Sequence, residues 1–171
     1  MTGTIKPNHK ALAAYYETLR AYGEQQVTHE GALETAFQRL LADTARARGW
    51  MLVPKQSMKR GGKTVIPDGT LRDEFNLAHG YWEAKDTDDD LTAEIRKKTA
   101  RGYPLNNTIF EDTERAVLFQ NGQSAFEADL RDPRQLADLL NAYYAHTEPD
   151  IEGFEEAVGE FKNEFKGTGV V

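Results

Sequence analysis

The sequence predicts an α/β domain in which a central mixed β-sheet is flanked by helices. Three observations lead there. Apolar residues recur at helical spacing toward both ends of the chain, whereas its middle carries short strand-like runs. Turn signals, Gly61-Gly62 and Asn121-Gly122, punctuate that middle where strands must reverse. With 39% hydrophobic and 10% aromatic residues, a chain of 171 can fill one core.

Each element has its own signal. Over residues 8–26, Leu12, Tyr15, Tyr16, Leu19 and Tyr22 mark a first helix. Residues 28–48 give a second, with Thr28 as N-cap, Leu33, Phe37, Leu40 and Leu41 at apolar positions, and Gly49 as its stop. "WMLVPKQSM" then reads as a strand, "KRGGKT" as a turn into "VIPDGTLRD", and "GYWEAKD" as a further short strand. A helix returns over residues 89–102, with acids at its start and bases in its last turn, as the helix dipole favours. "NTIFED" and "RAVLFQNGQSAFEADL" follow as strands, the latter folded back at Asn121-Gly122. Asp132 as N-cap and Pro133 at the first position open another helix, and an acidic helix over 151–165 comes last. We expect residues 1–147 to form the domain and 148–171 an acidic helix or linker toward a further domain.

The absence of cysteine removes disulfides and thiolate metal sites and suits a reducing compartment. No stretch approaches membrane-spanning length and none reads as a signal peptide, so a cytoplasmic protein with no membrane partner is expected. The net charge of −7 is unevenly spread. Acids crowd residues 148–164, while bases gather at Lys55, Lys59, Arg60 and Lys63 and again at Arg96, Lys97, Lys98 and Arg101. Local patches set where a polyanion can dock. Each cluster taken alone serves equally well as a solvated face.

The chemistry concentrates in "VIPDGTLRDEFNLAHGYWEAKD", residues 65–86. Asp68 stands at or just before the start of one strand. Glu83 and Lys85, two apart on another, point to one face with Ala84 on the other. If the two strands pair through residues 73–80, Asp68 lies beside Glu83. Adjacent carboxylates repel unless a cation sits between them. A few carboxylates, a backbone carbonyl and waters suit Mg²⁺ or a similar hard ion. A lysine beside such an ion can orient or help deprotonate an attacking water and stabilise charge on phosphate. The alternative is three ordinary polar positions on exposed strands, because an acid followed at variable distance by Glu-x-Lys is common by chance. Context favours the site: Pro67-Asp68-Gly69 leads into a strand, a helix follows, and a preceding helix puts Glu34 near the edge of its buried face. Trp82, alternating with Glu83, should point into the core beneath.

In this order of helix with Glu34, strand, strand with Pro67-Asp68, strand with Glu83-Ala84-Lys85, and helix, the chain resembles the PD-(D/E)xK nuclease superfamily. "HEGALETAFQRLL", "PDGTLRDEFNLAHGYWEAKD", "EIRKKTARGYP" and "RAVLFQNG" are similar to the N-terminal nuclease domain of single-polypeptide, ATP-driven Type I (Type ISP) restriction-modification enzymes and of relatives fused to adenine methyltransferases. The likeness covers residues 10–160. It implies a restriction-endonuclease-like fold and a DNA endonuclease dependent on Mg²⁺ (or Mn²⁺). Such a domain nicks one strand of double-stranded DNA per site, leaving 5′-phosphate and 3′-hydroxyl ends. A double-strand break would need a second nuclease copy or repeated nicking.

The resemblance also assigns roles by position. Asp68 and Glu83 would ligate the metal, with the Ala84 carbonyl as third ligand, and Lys85 would stand beside the attacking water. Glu34 would complete the site directly or through a water, with Glu30, one turn earlier, as its rival. Gln56 could face the same cleft. Lys59, Arg60, Lys63, Lys97, Lys98 and Arg101 are candidate phosphate contacts, which position DNA without reading its sequence. Helicase or translocase and methyltransferase domains would lie downstream, since this chain carries neither a Walker A loop nor an Asn-Pro-Pro-Tyr-like motif. A noncatalytic interaction module on the same fold, or a nuclease of repair or RNA processing, are the competing readings.

Other motifs fall away. "GGKT" at 61–64 has Ser57 where a phosphate-binding loop needs its earlier glycine, and a strand follows it. His9, His29, His79 and His146 show no metal-ligand spacing and read as surface or partly buried polar residues. No Ser-His-Asp or Cys-His arrangement stands out.

Overall fold

The computed structural model describes residues 3–26, 30–85, 90–151 and 158–159. Helices α1 (Lys10–Glu24) and α2 (Glu30–Arg46) lead into β1 (Met51–Pro54), β2 (Met58–Arg60), β3 (Lys63–Val65), β4 (Gly69–Arg72) and β5 (Ala78–Ala84). Then come α3 (Leu91–Ala100), β6 (Asn107–Glu111), β7 (Arg115–Gln120), β8 (Gln123–Asp129) and α4 (Pro133–Ala145). Six strands make one mixed sheet in the order β1-β4-β5-β6-β7-β8, while β2 and β3 form a separate hairpin. Only the β5–β6 pair of that sheet is parallel. A parallel pair needs a crossover, and α3 supplies it.

Alternation along the strands sorts the two faces. Leu71, Trp82, Ile109 and Leu118 join Leu12, Phe37, Leu40, Leu41, Leu136, Leu140 and Tyr143 in one large core beneath α1, α2 and α4. Their strand neighbours Phe110 and Val117 point the other way and pack with Leu91 and Ile95 of α3. Trp82 is fully enclosed and stacks on Phe37 with ring centroids 5.7 Å apart, as its alternation with Glu83 predicts.

The strand reading needs two corrections. "WMLVPKQSM" is two strands, because Lys55 adopts a left-handed backbone (φ 52°) that turns the chain out of β1. "VIPDGTLRD" also divides, into β3 and β4, at Pro67-Asp68, where proline has no N–H to give a ladder. Elsewhere the local signals act as read. Asn121 (φ 54°) and Gly122 (φ 81°) close the β7–β8 hairpin. Asp132 caps α4 by accepting from the Arg134 N–H at 2.9 Å. Asp90 does the same for α3 toward Thr92. The expected Thr28 cap, Asp89 and most of the acidic helix over 151–165 fall outside the described residues.

Past α4 the chain is tied back to the sheet. The Asp150 N–H donates to the Ala78 carbonyl at 2.7 Å, and the Asp150 carboxylate, only 4% exposed, pairs with Arg60 and accepts from the Tyr81 hydroxyl.

Candidate active site

The β4–β5 register builds the centre of the site. Gly69 stands opposite Trp82, so the next residues outward, Asp68 and Glu83, come side by side. The Asp68 N–H donates to Glu83 Oε2 at 3.3 Å, and the Ala84 N–H donates to Asp68 Oδ2 at 2.8 Å. Gly69 permits this closeness: a Cβ there would lie 2.8 Å from Leu52 Cδ1 and 2.9 Å from Trp82 Cε3. Both carboxylates are buried, Asp68 at 7% and Glu83 at 6% exposure. Lys85 follows at the end of β5. Its N–H donates to the Glu111 carbonyl at 2.7 Å, extending the parallel pairing, and its Nζ lies 3.8 Å from Glu94 Oε2 on α3.

Placing two acids together out of water has an electrostatic cost, and the site shows it. Burial, reinforced by the Asp68 charge, pushes the Glu83 carboxyl up to about 8, although Lys98 pulls the other way. Lys98 Nζ sits 3.2 Å from Glu83 Oε1 and 3.8 Å from Glu94 Oε1. Burial alone would lower the Lys98 ammonium, but the neighbouring Glu83 charge, with Tyr103, raises it on balance. On the other side of the pair Lys55 contacts Asp68 Oδ1 and lies 2.7 Å from Glu34 Oε1. Glu34 is raised, chiefly by burial, with the Asp68 charge in the same direction and the Lys55 hydrogen bond opposing. The left-handed turn at Lys55 helps aim this lysine, whose own N–H donates to the Asp68 carbonyl at 3.1 Å.

The site therefore gathers Asp68, Glu83 and Lys85 with Glu34 from α2. It also gathers three residues whose place there the sequence did not disclose: Lys55, Glu94 and Lys98. Lys98 was expected on phosphate and instead turns inward onto Glu83. A signal for the last two does exist, since Glu94 and Lys98 are four apart on the helix that follows Glu83-x-Lys85.

Other expected residues lie elsewhere. Arg60, expected on phosphate, is buried in its pair with Asp150 and donates to Asn106 Oδ1 at 2.8 Å, so its guanidinium serves the fold. Lys59, Lys63, Lys97 and Arg101 are exposed. Gln56, which could have faced the cleft, accepts from Arg72 Nε at 2.6 Å. The Glu30 side chain lies outside what is described. His79 is more deeply placed than expected, 2.6 Å from Asp73 Oδ2 and stacked on Trp50 at 4.6 Å. Glu111, which drew no notice in the sequence, is fully enclosed one strand away from Glu83.

Among the described residues no three acidic or imidazole side chains converge on one point. The donor set is a carboxylate pair, all oxygen, with ammonium groups against its outward atoms. Mg²⁺ is commonly held by one or two carboxylates with waters completing its shell. A buried acid pair that draws cations fits that chemistry.

Six mixed strands with helices on both faces make this a restriction-endonuclease-like fold. No protein-family model and no curated protein matches the chain. Among solved structures, the chain is similar to a cryo-electron-microscopy structure of a DrdV–DNA complex. That likeness has 38% identity and a TM-score of 0.79, and covers 91% of this chain but 16% of that one. A crystal structure of a candidate DUF820 nuclease from Anabaena variabilis shows 11% identity and a TM-score of 0.41, covering 56% of this chain and 64% of that one. The second likeness is too slight to bear on function. No helix among the described residues is long and apolar enough to cross a membrane.

Proposed function

We propose that this chain is a metal-dependent DNA nuclease domain of the restriction-endonuclease type. The observation that carries the reading is the buried Asp68–Glu83 pair, set at the entry to β4 and on β5, with Lys55 and Lys98 against it and Lys85 two residues past Glu83. Support comes from the likeness, at 38% identity, to a protein solved in complex with DNA.

Asp68 and Glu83 would hold Mg²⁺ or Mn²⁺, with the Ala84 carbonyl as a further oxygen. When bound, the ion supplies positive charge against the phosphate and makes water a stronger nucleophile. The protein's own groups do the rest. Lys85 carries an ammonium that donates to the attacking water or a phosphate oxygen, and Glu94 limits where that ammonium can swing. Glu34 holds Lys55 against Asp68, and that contact favours Glu34 over Glu30 as the helix-borne acid of the site. Lys98 offsets the charge of Glu83. The low exposure of the pair strengthens each of these interactions over its value in water.

One such site cuts one strand, so a double-strand break takes two copies or two events. The chain spans 16% of the DrdV chain it resembles, and a Type ISP-like arrangement, with translocase and methyltransferase domains downstream, is part of this proposal. Exposed Lys59, Lys63, Lys97 and Arg101 would position the DNA backbone.

The test is nicking of supercoiled plasmid with Mg²⁺ by wild type, Asp68→Ala and Lys85→Ala. Wild type should convert the plasmid to open circles, and neither variant should. Equal nicking by all three would contradict the assignment. Silence from all three, with and without Mn²⁺, would favour a noncatalytic DNA-binding module.

A further inference from the structure

We propose that the groove between the β2–β3 hairpin and the C-terminal end of α3 binds one unpaired nucleotide of the nucleic-acid strand beside the cut phosphate. The proposal rests on the nuclease reading above and names how its substrate is held. The groove encloses about 500 Å³ and is lined by Lys63, Thr64, Ile66, Ala100, Arg101 and Tyr103. Two cations and a hydroxyl border an aliphatic and a phenolic surface. Ile66 is 47% exposed, a solvent-facing apolar side chain in a polar surround. That mixture fits a nucleotide, whose phosphate seeks Lys and Arg and whose base seeks a flat apolar or aromatic contact.

Two observations tie the groove to the carboxylate pair. Ile66, just past the end of β3, lies two residues before Asp68, so a short segment of chain joins the groove to the site. Across the groove the Tyr103 hydroxyl donates to the Ile66 carbonyl at 3.4 Å and accepts from Lys98 Nζ at 3.3 Å, and Lys98 reaches Glu83 at 3.2 Å. Lys98 also covers the Tyr103 ring at 4.6 Å from its centroid, which fixes the ring's orientation.

The end of α3 would ordinarily present bare carbonyls and negative potential to a phosphate. Here Lys63 Nζ donates to the Ala100 carbonyl at 3.2 Å, and Arg101 adds a second positive charge. A second open cavity among the described residues, about 580 Å³, is rimmed by Asp90, Asp112, Glu114, Glu127 and Asp129 and would repel a polyanion despite Arg115 and Arg131. Charge complementarity thus favours the groove beside α3 over that cavity.

The experiment titrates isotope-labelled protein with pentathymidylate in a chelator, so that nothing is cut, and follows backbone amide shifts. Shifts should centre on Thr64, Ile66, Arg101 and Tyr103. Tyr103→Ala should weaken binding about tenfold, whereas Tyr103→Phe should retain most of it. An abasic chain of equal length and charge should bind at least about fivefold more weakly. The proposal is overturned if the shifts fall elsewhere, if a correctly folded Tyr103→Ala binds like wild type, or if the abasic chain binds equally well. The two readings fail separately. Groove shifts in a protein that never nicks plasmid would overturn the nuclease and leave the groove standing. Nicking without groove shifts would do the reverse.

Discussion

Glu83 and Glu111 sit on neighbouring parallel strands, one step apart in register, and burial pushes both carboxyls up to about 8. Their surroundings differ. Glu83 faces a second acid and the ammonium of Lys98, with Lys85 and the basic groove nearby. Among the described residues the Glu111 carboxylate is held by two N–H donors, Trp82 Nε1 at 3.0 Å and the Thr113 N–H at 2.7 Å, and the Asp112 and Asp68 charges act on it only as lesser contributions. Glu111 is closed by the fold, whereas Glu83 is left with oxygen atoms that attract cations. A raised acid in direct contact with another acid and a cation is the candidate for function. Where the neighbours are fixed backbone and indole donors, it marks structure.

The largest expected effect separates the two acids by activity. Asp68→Ala should lower the plasmid-nicking rate at least about a hundredfold while leaving the far-ultraviolet dichroism unchanged. The next effect concerns stability and reverses the ranking. Glu111→Ala strands two buried donors and should cost about 2 kcal/mol in urea unfolding. Glu83→Gln removes a charge that the folded state holds at a disadvantage, and should raise stability by about 1 kcal/mol. A loss of similar size in both variants would erase the distinction.

A third prediction concerns pH. Because the Glu111 carboxyl is raised in the fold, the native protein keeps a proton that the unfolded chain has lost, and stability falls as pH rises from the ordinary carboxyl range toward about 8. Glu111→Gln cannot titrate. Relative to it, wild type in chelator should lose about 1 kcal/mol or more across that window, on the scale of a single pKa unit. Glu83 shifts in the same direction but is present in both proteins and cancels. The smallest effect belongs to the periphery: Lys97→Ala should weaken duplex binding only a few-fold, about the share of one phosphate contact, with a shallower salt dependence.

Much of the fold was legible in the sequence because its signals are local. Asn121-Gly122 fixes a hairpin by backbone conformation alone, and alternation sends Trp82 inward and Glu83 outward. Asp68 and Glu83 could be paired because the strands bearing them are joined by a short turn. What escaped depends on distance or on backbone state. Arg60 is internal because its partner Asp150 lies 90 residues away, which no local pattern shows. Lys55 reaches Asp68 and Glu34 from a left-handed backbone that lysine does not advertise. Glu111 reads as the polar end of "NTIFED" until Trp82, on the paired strand, closes over it.

One experiment tests the central claim most directly: Mg²⁺-dependent nicking of supercoiled plasmid by wild type, Glu83→Gln and Glu111→Gln side by side. With Glu83 as a working acid and Glu111 as a structural one, wild type and Glu111→Gln should nick at comparable rates, and Glu83→Gln should be inactive. Undiminished nicking by Glu83→Gln, or an equal loss in both variants, would contradict it.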